Sequence, residues 1–181
     1  MRNHLPVTLG SWRERSVMTD EKQKEFETLL QVHRAIVFKT VNTYCWRPED
    51  RDDLAQEIAA QLWKAWPSYD SCRTFTTWMY RVALNVAISF VRREVKYRRV
   101  FMPLEEEFDE AISPPANDPV AADRMERLRR FIAREPPFER ALLLLYLEDK
   151  SQKEIAEILG ITPTNVSTRI SRLKQRIRTE L

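Results

Sequence analysis

Glycine is nearly absent from this chain, which has two glycines in 181 residues against ten prolines. Runs of β-branched residues, on which strands depend, are also few. These shortages argue against a β-rich fold and predict an all-α protein. Apolar residues make up 43% of the sequence, so packed cores are expected. The length allows one large domain or two small ones.

Cysteine and histidine are also scarce, with two of each. Cys45 and Cys72 lack the spacing that binds zinc, and two free thiols fit a reducing cytoplasm. His4 and His33 form no nucleophile–base pattern with them, so we give the hypothesis of an enzyme little weight. His33 stands alone and is expected at the edge of the core. We expect no metal, no cofactor and no small-molecule substrate.

Long apolar runs are missing too. No segment reaches the length of a membrane span, and the N-terminus lacks the apolar region of a signal peptide. We therefore expect a cytoplasmic protein. Residues 1–19 are expected to form a loosely ordered extension, in which Met18 offers an alternative start.

The small net charge of +3 hides a strong pattern along the chain. Residues 21–102 carry a net charge of +4, residues 103–123 carry −7, and residues 124–181 carry +5. Two basic blocks are therefore separated by an acidic one. Basic blocks suit contact with nucleic-acid phosphates; the bland alternative is ordinary solvated helix surface.

Apolar residues recur at helical spacing through most of the chain. The predicted helices run from 20 to about 44, from 50–52 to just before Pro67, from about 74 to 98, from 120 to 134 and from 138 to 148. Four prolines and the acidic run mark residues 103–119 as a linker. The pattern therefore predicts two small helical domains joined by an acidic linker.

Residues 152–173 predict two short helices joined by a tight turn. Gly160 follows the last apolar residue of the first helix, where a left-handed stop needs no side chain. Thr162 offers an N-cap oxygen, and Pro163 takes the first position of the second helix. Val166, Ile170 and Leu173 form the buried stripe of that helix. Its remaining face carries Thr164, Asn165, Ser167, Thr168, Arg169 and Arg172.

This helix pair is typical of a helix-turn-helix that places its second helix in the DNA major groove. Ser, Thr, Asn and Arg side chains reach base edges and phosphates. The bland alternative is a helical hairpin with a solvated face. We favour DNA binding because the glycine, the cap, the proline and the polar face all agree.

The helix before Pro67 has an acidic, polar ridge made by Asp53, Gln56, Glu57 and Gln61. Phosphates would repel such a ridge, so it suits a basic or polar protein partner. The alternative is a solvated face, which composition alone favours. Leu54, Ile58 and Leu62 are spaced four apart on one side of the same helix.

The helix that follows has aromatic residues near its start and basic residues along its length. Phe75, Trp78 and Tyr80 stand among Arg73, Arg81 and Asn85, and the helix closes with Arg92, Arg93, Lys96, Arg98 and Arg99. Aromatic rings beside cations can stack on unpaired bases while the cations hold phosphates. The alternative is that Phe75 and Trp78 are core residues.

Three motifs in this order resemble the extracytoplasmic-function (ECF) sigma factors of bacterial RNA polymerase. They are the Asp-Asp-Leu-Ala-Gln-Glu helix at 52–57 with Leu62-Trp63, the segment 75–85 followed by Arg92-Arg93, and the helix-turn-helix at 152–173. The resemblance spans about residues 20–181. It implies a non-enzymatic alternative sigma factor that directs core polymerase to promoters and supports their melting.

The resemblance also implies three sets of site residues. Core polymerase, through the β′ clamp, would be bound by Asp52, Asp53, Leu54, Gln56, Glu57, Gln61 and Trp63. The −10 element would be bound by Arg73, Thr74, Phe75, Trp78, Arg81, Asn85, Arg92 and Arg93. The −35 element would be bound by Thr162, Thr164, Asn165, Ser167, Thr168, Arg169, Arg172, Lys174 and Arg176.

Residues 20–102 would then be sigma region 2, 103–119 the linker, and 120–181 sigma region 4. The linker would thread toward the polymerase active-site cleft and RNA exit path. Core polymerase is the implied partner, through its β′ clamp and its β subunit. An anti-sigma factor is the other implied partner, and a membrane-anchored one would hold the chain at the inner membrane face. The competing hypothesis is a stand-alone helix-turn-helix regulator, which predicts a palindromic operator and a stable dimer.

The chain departs from the family pattern at three points. The loop at 69–74 is short, so the resemblance does not single out the side chain that contacts an unpaired base. Leu84 stands where a basic or small residue often precedes Asn85. The start of the second helix at 162–165 is an uncommon one, so no particular −35 sequence is implied.

Overall fold

The computed structural model describes residues 20–101 and 119–180, and the secondary structure within them is helical. The N-terminal extension and nearly all of the acidic linker lie outside the described residues. The helices are α1 (Asp20–Val32), α2 (Arg34–Tyr44), α3 (Pro48–Ala65), α4 (Phe75–Phe101), α5 (Pro119–Arg134), α6 (Pro137–Leu147), α7 (Gln152–Leu159) and α8 (Pro163–Glu180), with a 3₁₀ turn at Trp66–Ser68. The all-α prediction is confirmed.

The single helix predicted over 20–44 is wrong, because the chain forms two helices separated at His33. The backbone of His33 leaves the helical region, with φ −103° and ψ 15°, and its carbonyl accepts from the Ile36 N–H at 2.9 Å. The break lets Phe26 pack beside Trp66 while Ile36 is buried on the other helix. The His33 ring lies 5.4 Å from that of Phe75, at the core edge as expected.

Helices α3 and α4 form the centre of the N-terminal half (α1–α4). Helix α3 begins at Pro48, before the predicted start at 50–52. Proline fits this first turn because its φ is fixed and it has no N–H to leave unbonded. The Leu54, Ile58 and Leu62 side chains are fully buried. Burying side chains of this size contributes about 1.5–3 kcal/mol each, so this stripe holds α3 in place.

The C-terminal half (α5–α8) contains the predicted helix-turn-helix. Gly160 has φ +68°, the left-handed conformation expected of a helix stop. The Thr162 side-chain oxygen accepts from the Asn165 N–H at 3.2 Å, so it caps α8. A capping box that our sequence analysis did not identify starts α7, where Ser151 and Glu154 bond to each other's backbone N–H groups.

The two halves pack directly on each other. The Tyr44 hydroxyl donates to the Pro137 carbonyl at 2.6 Å, and the Tyr80 hydroxyl donates to Glu148 at 3.3 Å. Lys39 forms an ion pair with the same glutamate. Buried apolar side chains of both halves form one continuous cluster. The two halves therefore adopt a closed arrangement.

Candidate polymerase and nucleic-acid interfaces

The exposed side of α3 carries the acidic ridge found in the sequence. Asp52, Asp53, Gln56 and Gln61 are exposed there. Trp63 is 42% exposed, and its ring packs edge-on against Phe26 at 5.4 Å. The helix thus offers a partner carboxylates, side-chain amides and one half-exposed indole.

Leu54 requires a correction, because it was predicted to contact polymerase and its side chain has no exposed surface. It faces the opposite side of α3 from the ridge and belongs to the core. A motif match placed it in the docking set, but burial leaves it only a packing role.

Glu57 is the one ridge residue with a partner on another helix. Its carboxylate accepts from the Arg93 guanidinium of α4 at 2.5 Å, and this bond is the main cause that raises the pKa of Arg93. Two predicted interfaces therefore meet at this ion pair, since Glu57 was predicted to dock polymerase and Arg93 to bind DNA. Both side chains remain well exposed, so the pair itself adds little stability.

Helix α4 presents a continuous polar stripe to solvent. Thr74, Arg81, Asn85 and Arg92 are all exposed, at spacings of four or seven residues that keep them on one side. Arg81 and Arg92 have no acidic partner among the described residues. Their guanidinium groups are donors of the kind that binds phosphates, whereas the Thr74 hydroxyl already bonds that of Thr77 at 3.1 Å.

An aromatic cluster supports the start of this stripe. The Trp66 and Tyr69 rings stack at 5.1 Å, and Phe75 and Trp78 lie 5.5 Å apart beside them. Phe75 is only 8% exposed, so its predicted role as a DNA contact is corrected to a core role. Trp78 is half-buried and still presents a ring surface.

Tyr80 also turns out to be a packing residue rather than a stacking platform. It is 3% exposed, and Lys150 of the other half lies over its ring at 5.9 Å. Leu84, one turn further along α4, is 1% exposed. The unusual leucine before Asn85 is therefore explained by burial on the side of α4 away from the polar stripe.

The loop before α4 is ordered by its own side chains. The Tyr69 hydroxyl donates to the Arg73 carbonyl at 2.7 Å, and the Asp70 carboxylate accepts from the Cys72 N–H at 3.0 Å. That bond lowers the pKa of Asp70. The Arg73 guanidinium lies 3.5 Å from Glu157 on α7, so this predicted DNA contact is occupied in the closed arrangement.

Most of the polar face of α8 is open to solvent. Its exposed residues are Thr164, Asn165, Thr168, Arg172 and Lys174, and its half-buried residues are Ser167 and Arg169. Several of these groups already have partners. The Thr168 hydroxyl donates to the Thr164 carbonyl at 3.0 Å, and Lys174 lies 4.4 Å from the centre of the Tyr146 ring.

The three arginines of α8 differ in their surroundings. Arg169 donates to Glu139 at 2.6 Å, and Arg176 forms an ion pair with Glu135 at 2.7 Å. Arg172, between them, has no acidic partner in the described chain. All three border an open groove of about 320 Å³, which Asn165 and Thr168 also line.

Burial perturbs several groups where the two halves meet. It raises the pKa of the Tyr44 and Tyr80 hydroxyls, so both remain protonated donors at neutral pH. It raises the pKa of the Cys45 thiol to about 12 and lowers the pKa of Arg140. Cys72, by contrast, is exposed. The two tyrosine hydroxyls and the Arg140 guanidinium donate hydrogen bonds to backbone or carboxylate oxygens at this junction.

Within the described ranges, no three His, Cys, Asp or Glu side chains are grouped as a metal site would require. A search of the same residues for a helix long and apolar enough to cross a membrane found none.

Two carboxylates next to the recognition surface were not predicted from the sequence, namely Glu135 and Glu139. Glu139 is in the first turn of α6, where an acid complements the helix dipole, so its position had a local explanation. Its partner Arg169 is thirty residues away, and no local pattern signals that contact. The capping box at Ser151 did have a signal, the Ser-x-x-Glu spacing.

Comparison with known families agrees with this arrangement. Residues 29–97 match Sigma-70 region 2, and residues 125–177 match Sigma-70, region 4. The first match contains the acidic ridge and the whole α4 stripe. The second contains the helix-turn-helix. The chain therefore belongs to the sigma-70 family of transcription initiation factors, a non-catalytic family.

Individual relatives narrow the class. The ECF RNA polymerase sigma factor SigW of Bacillus subtilis is 25% identical over 170 residues, covering 88% of this chain and 90% of SigW. The ECF RNA polymerase sigma factor SigE of Mycolicibacterium smegmatis is 27% identical over 163 residues, covering 84% of this chain and 60% of SigE. Within its family the chain is an ECF sigma factor, an alternative sigma factor that directs RNA polymerase.

Solved structures share the fold. The sigma factor RpoE in complex with the anti-sigma factor NepR, from Bartonella quintana, superimposes with a TM-score of 0.71 at 17% identity, covering 86% of this chain and 96% of RpoE. CnrH in complex with the cytosolic domain of CnrY gives 0.62 at 20% identity, covering 87% of each chain.

Proposed function

We propose that the three exposed faces divide the work of promoter recognition. The α3 ridge docks core polymerase, the α4 stripe holds the −10 element, and the polar face of α8 reads the −35 element. The observation that carries this proposal is the separation of charge. Acidic groups lie on the exposed side of α3, whereas exposed arginines, amides and hydroxyls line α4 and α8.

The acidic face of α3 suits the β′ clamp of core polymerase as its partner. Asp53 and Gln56 are exposed, whereas the apolar side of the helix is fully used by the core. The partner would therefore be recognised through polar contacts, with Trp63 at their edge. DNA would be repelled here.

The α4 stripe suits an opened strand. Arg81 and Arg92 are free cations, and Trp78 offers a ring surface at the same end of the helix as Thr74. Stacking on an aromatic ring supplies about 1–3 kcal/mol per base whatever its identity. A strand whose bases have unpaired would be held by such a surface.

The C-terminal half suits a duplex. Its recognition helix, α8, is capped by Thr162 and turns from α7 at Gly160. Its polar face would enter the major groove of the −35 element. We accordingly assign 20–102 to region 2, 103–119 to the linker and 120–181 to region 4.

Occupying both elements at once would require the halves to separate. The −10 and −35 elements are roughly 25 base pairs apart, or about 85 Å of duplex. A compact chain of this length has a radius of gyration of only about 16 Å. The closed arrangement therefore fits the free subunit, and Arg73 would leave Glu157 when the halves part.

We propose an anti-sigma factor as the partner of the free subunit. RpoE was solved in complex with the anti-sigma factor NepR, and CnrH was solved in complex with the cytosolic domain of CnrY. The chain itself would be a non-catalytic initiation factor. It would work in the cytoplasm, where promoter DNA lies, and an anti-sigma factor would hold it there at the membrane face.

The decisive experiment is run-off transcription with core RNA polymerase and mapping of start sites. We expect initiation at a defined promoter set only when this chain is added. Asp53→Ala and Glu57→Lys should weaken capture of core polymerase, whereas Asp123→Asn, an exposed carboxylate on α5, should not. Tight binding of a palindromic operator by a stable dimer without polymerase would instead favour the stand-alone regulator.

A further inference from the structure

The guanidinium of Arg169 is held from three sides. Its Nη1 donates to Glu139 Oε1 at 2.6 Å, and its Nε donates to Asn165 Oδ1 at 2.7 Å. The ring of Phe138 lies against it, with 5.2 Å from the Cζ atom to the ring centre. Glu139 and Phe138 come from α6, so the side chain is fixed by residues outside the helix-turn-helix.

Arg169 nevertheless remains able to contact DNA. Its side chain is 40% exposed, and it lines the open groove together with Thr168 and Arg172. A guanidinium has five N–H donors, and the contacts with Glu139 and Asn165 use one on each of two nitrogens. The remaining donors are therefore available in a fixed orientation.

Arg172 offers the contrast on the same helix. It is exposed, and no carboxylate of the described residues pairs with it. A free arginine can turn toward either a phosphate or a base edge. It loses its rotamer freedom only when it binds. An arginine already fixed by the protein loses less freedom on binding, and only a partner in the matching position can use it.

The charge of Glu139 adds a second effect. Its carboxylate, 22% exposed, partly neutralises Arg169 and so weakens the general attraction of this position to phosphates. Fixing the direction and lowering the sequence-independent attraction both favour contact with a base edge.

We propose that Glu139 is a positioning residue for −35 recognition, which aims Arg169 at a base edge and restrains it from phosphates. This inference rests on the proposed function of α8. Glu139 does not itself touch DNA. It acts through Arg169, with Asn165 as the second support on α8.

The test uses holoenzyme, made from core polymerase and the full chain, on a promoter library with a randomised −35 hexamer and a fixed −10 element. Base preferences are compared for wild type, Glu139→Gln, Glu139→Ala, Arg169→Ala and the double variants. Asp123→Asn is the matched control, because it also removes an exposed carboxylate that pairs with an arginine in this half. Thermal melting checks that each variant is folded.

We expect both Glu139 variants to lose preference at a hexamer position that Arg169→Ala also affects. The loss should be about fivefold or more, the lower limit of what a bidentate arginine–base contact provides. Binding to unrelated duplex should stay the same or rise, with a salt dependence steeper by up to about one phosphate contact. In the Arg169→Ala background, Glu139→Gln should change preference no further.

Unchanged base preferences in both Glu139 variants would overturn the proposal. So would a change that persists without Arg169, because it would then come from altered packing. If wild-type holoenzyme itself showed no preference among −35 sequences, the assignment of α8 to the −35 element would fail instead. The two failures are therefore distinguishable.

Discussion

Arg81 and Arg92 on α4 extend from an exposed stripe, and neither has an acidic partner among the described residues. Arg169 and Arg176 on α8 are each held by a glutamate and lie against an aromatic ring. Of these four side chains, the two on α4 are free and the two on α8 are fixed. The division is not complete, since Arg93 of α4 is paired with Glu57 and Arg172 of α8 has no acidic partner among the described residues.

This difference fits the two targets proposed for the helices. An opened strand changes position as the promoter melts, and mobile cations can follow it. A closed duplex presents base edges at fixed positions in its major groove, where pre-oriented donors lose less entropy on binding. For these four arginines, the free pair thus suits a strand that moves and the fixed pair suits a rigid duplex.

The largest effect is expected on stability, when a fixed arginine is removed. Arg176→Ala removes the ion-pair partner of the fully buried Glu135 carboxylate and leaves it only the nearby charge of Arg140 among the described residues, so we expect a loss of about 3 kcal/mol in the free energy of unfolding. Arg92→Ala removes a free cation and should stay within about 0.5 kcal/mol. Urea denaturation measures the free energy of unfolding of both variants. Equal losses would contradict the distinction between a fixed and a free arginine.

Measurements of promoter binding should distinguish the free arginine of α8 from those of α4. Arg172→Ala should weaken −35 binding by about 1–3 kcal/mol and relax specificity at one base pair, if it makes a bidentate contact. Arg81→Ala should weaken binding of all promoters alike and reduce the salt slope by about one. Footprints over a salt series measure this, and a uniform loss for Arg172→Ala would assign it to phosphate.

A smaller effect concerns the local order around the recognition helix. Ser151→Ala removes the capping box of α7 and should cost about 1 kcal/mol of stability, measured by thermal melting. The Ser151 bonds lower the pKa of Glu154, so this contribution is present at neutral pH and fades as the pH falls and the carboxylate protonates. Ser171→Ala, at an exposed position of α8, is the control.

The smallest effect concerns the contact between the halves. Glu148 accepts from both Lys39 and Tyr80, and Glu148→Gln should weaken the closed arrangement by about 1 kcal/mol or less. Small-angle X-ray scattering of the free chain should then show a larger mean radius. An unchanged radius would mean that apolar packing alone keeps the halves together.

The sequence identified the elements whose causes lie within a few residues. Gly160, Thr162 and Pro163 set the turn through a left-handed stop, an N-cap and a fixed φ, and each acts within about four residues. The polar stripe of α4 and the acidic ridge of α3 were also visible, because helical spacing alone places residues on one side. These features were predicted and lie where expected.

The break at His33 was missed because the periodicity of apolar residues continues through it, and only packing on two different neighbours requires a change of direction. Leu54 and Phe75 are core residues although the motif match assigned both to interfaces; for Phe75 the sequence had left the core role open as the alternative. A family motif groups residues that share a helix, whereas the tertiary structure decides which of them face the core.

By itself, then, the sequence determined an all-α sigma factor with three polar faces on three particular helices, since local hydrogen bonds and helical periodicity are encoded within short segments. The tertiary structure alone decided which arginines are free. Glu139 meets Arg169 across thirty residues and Glu135 meets Arg176 across forty-one. Such contacts depend on how α5 and α6 pack against α8, and no pattern of neighbouring residues specifies that packing.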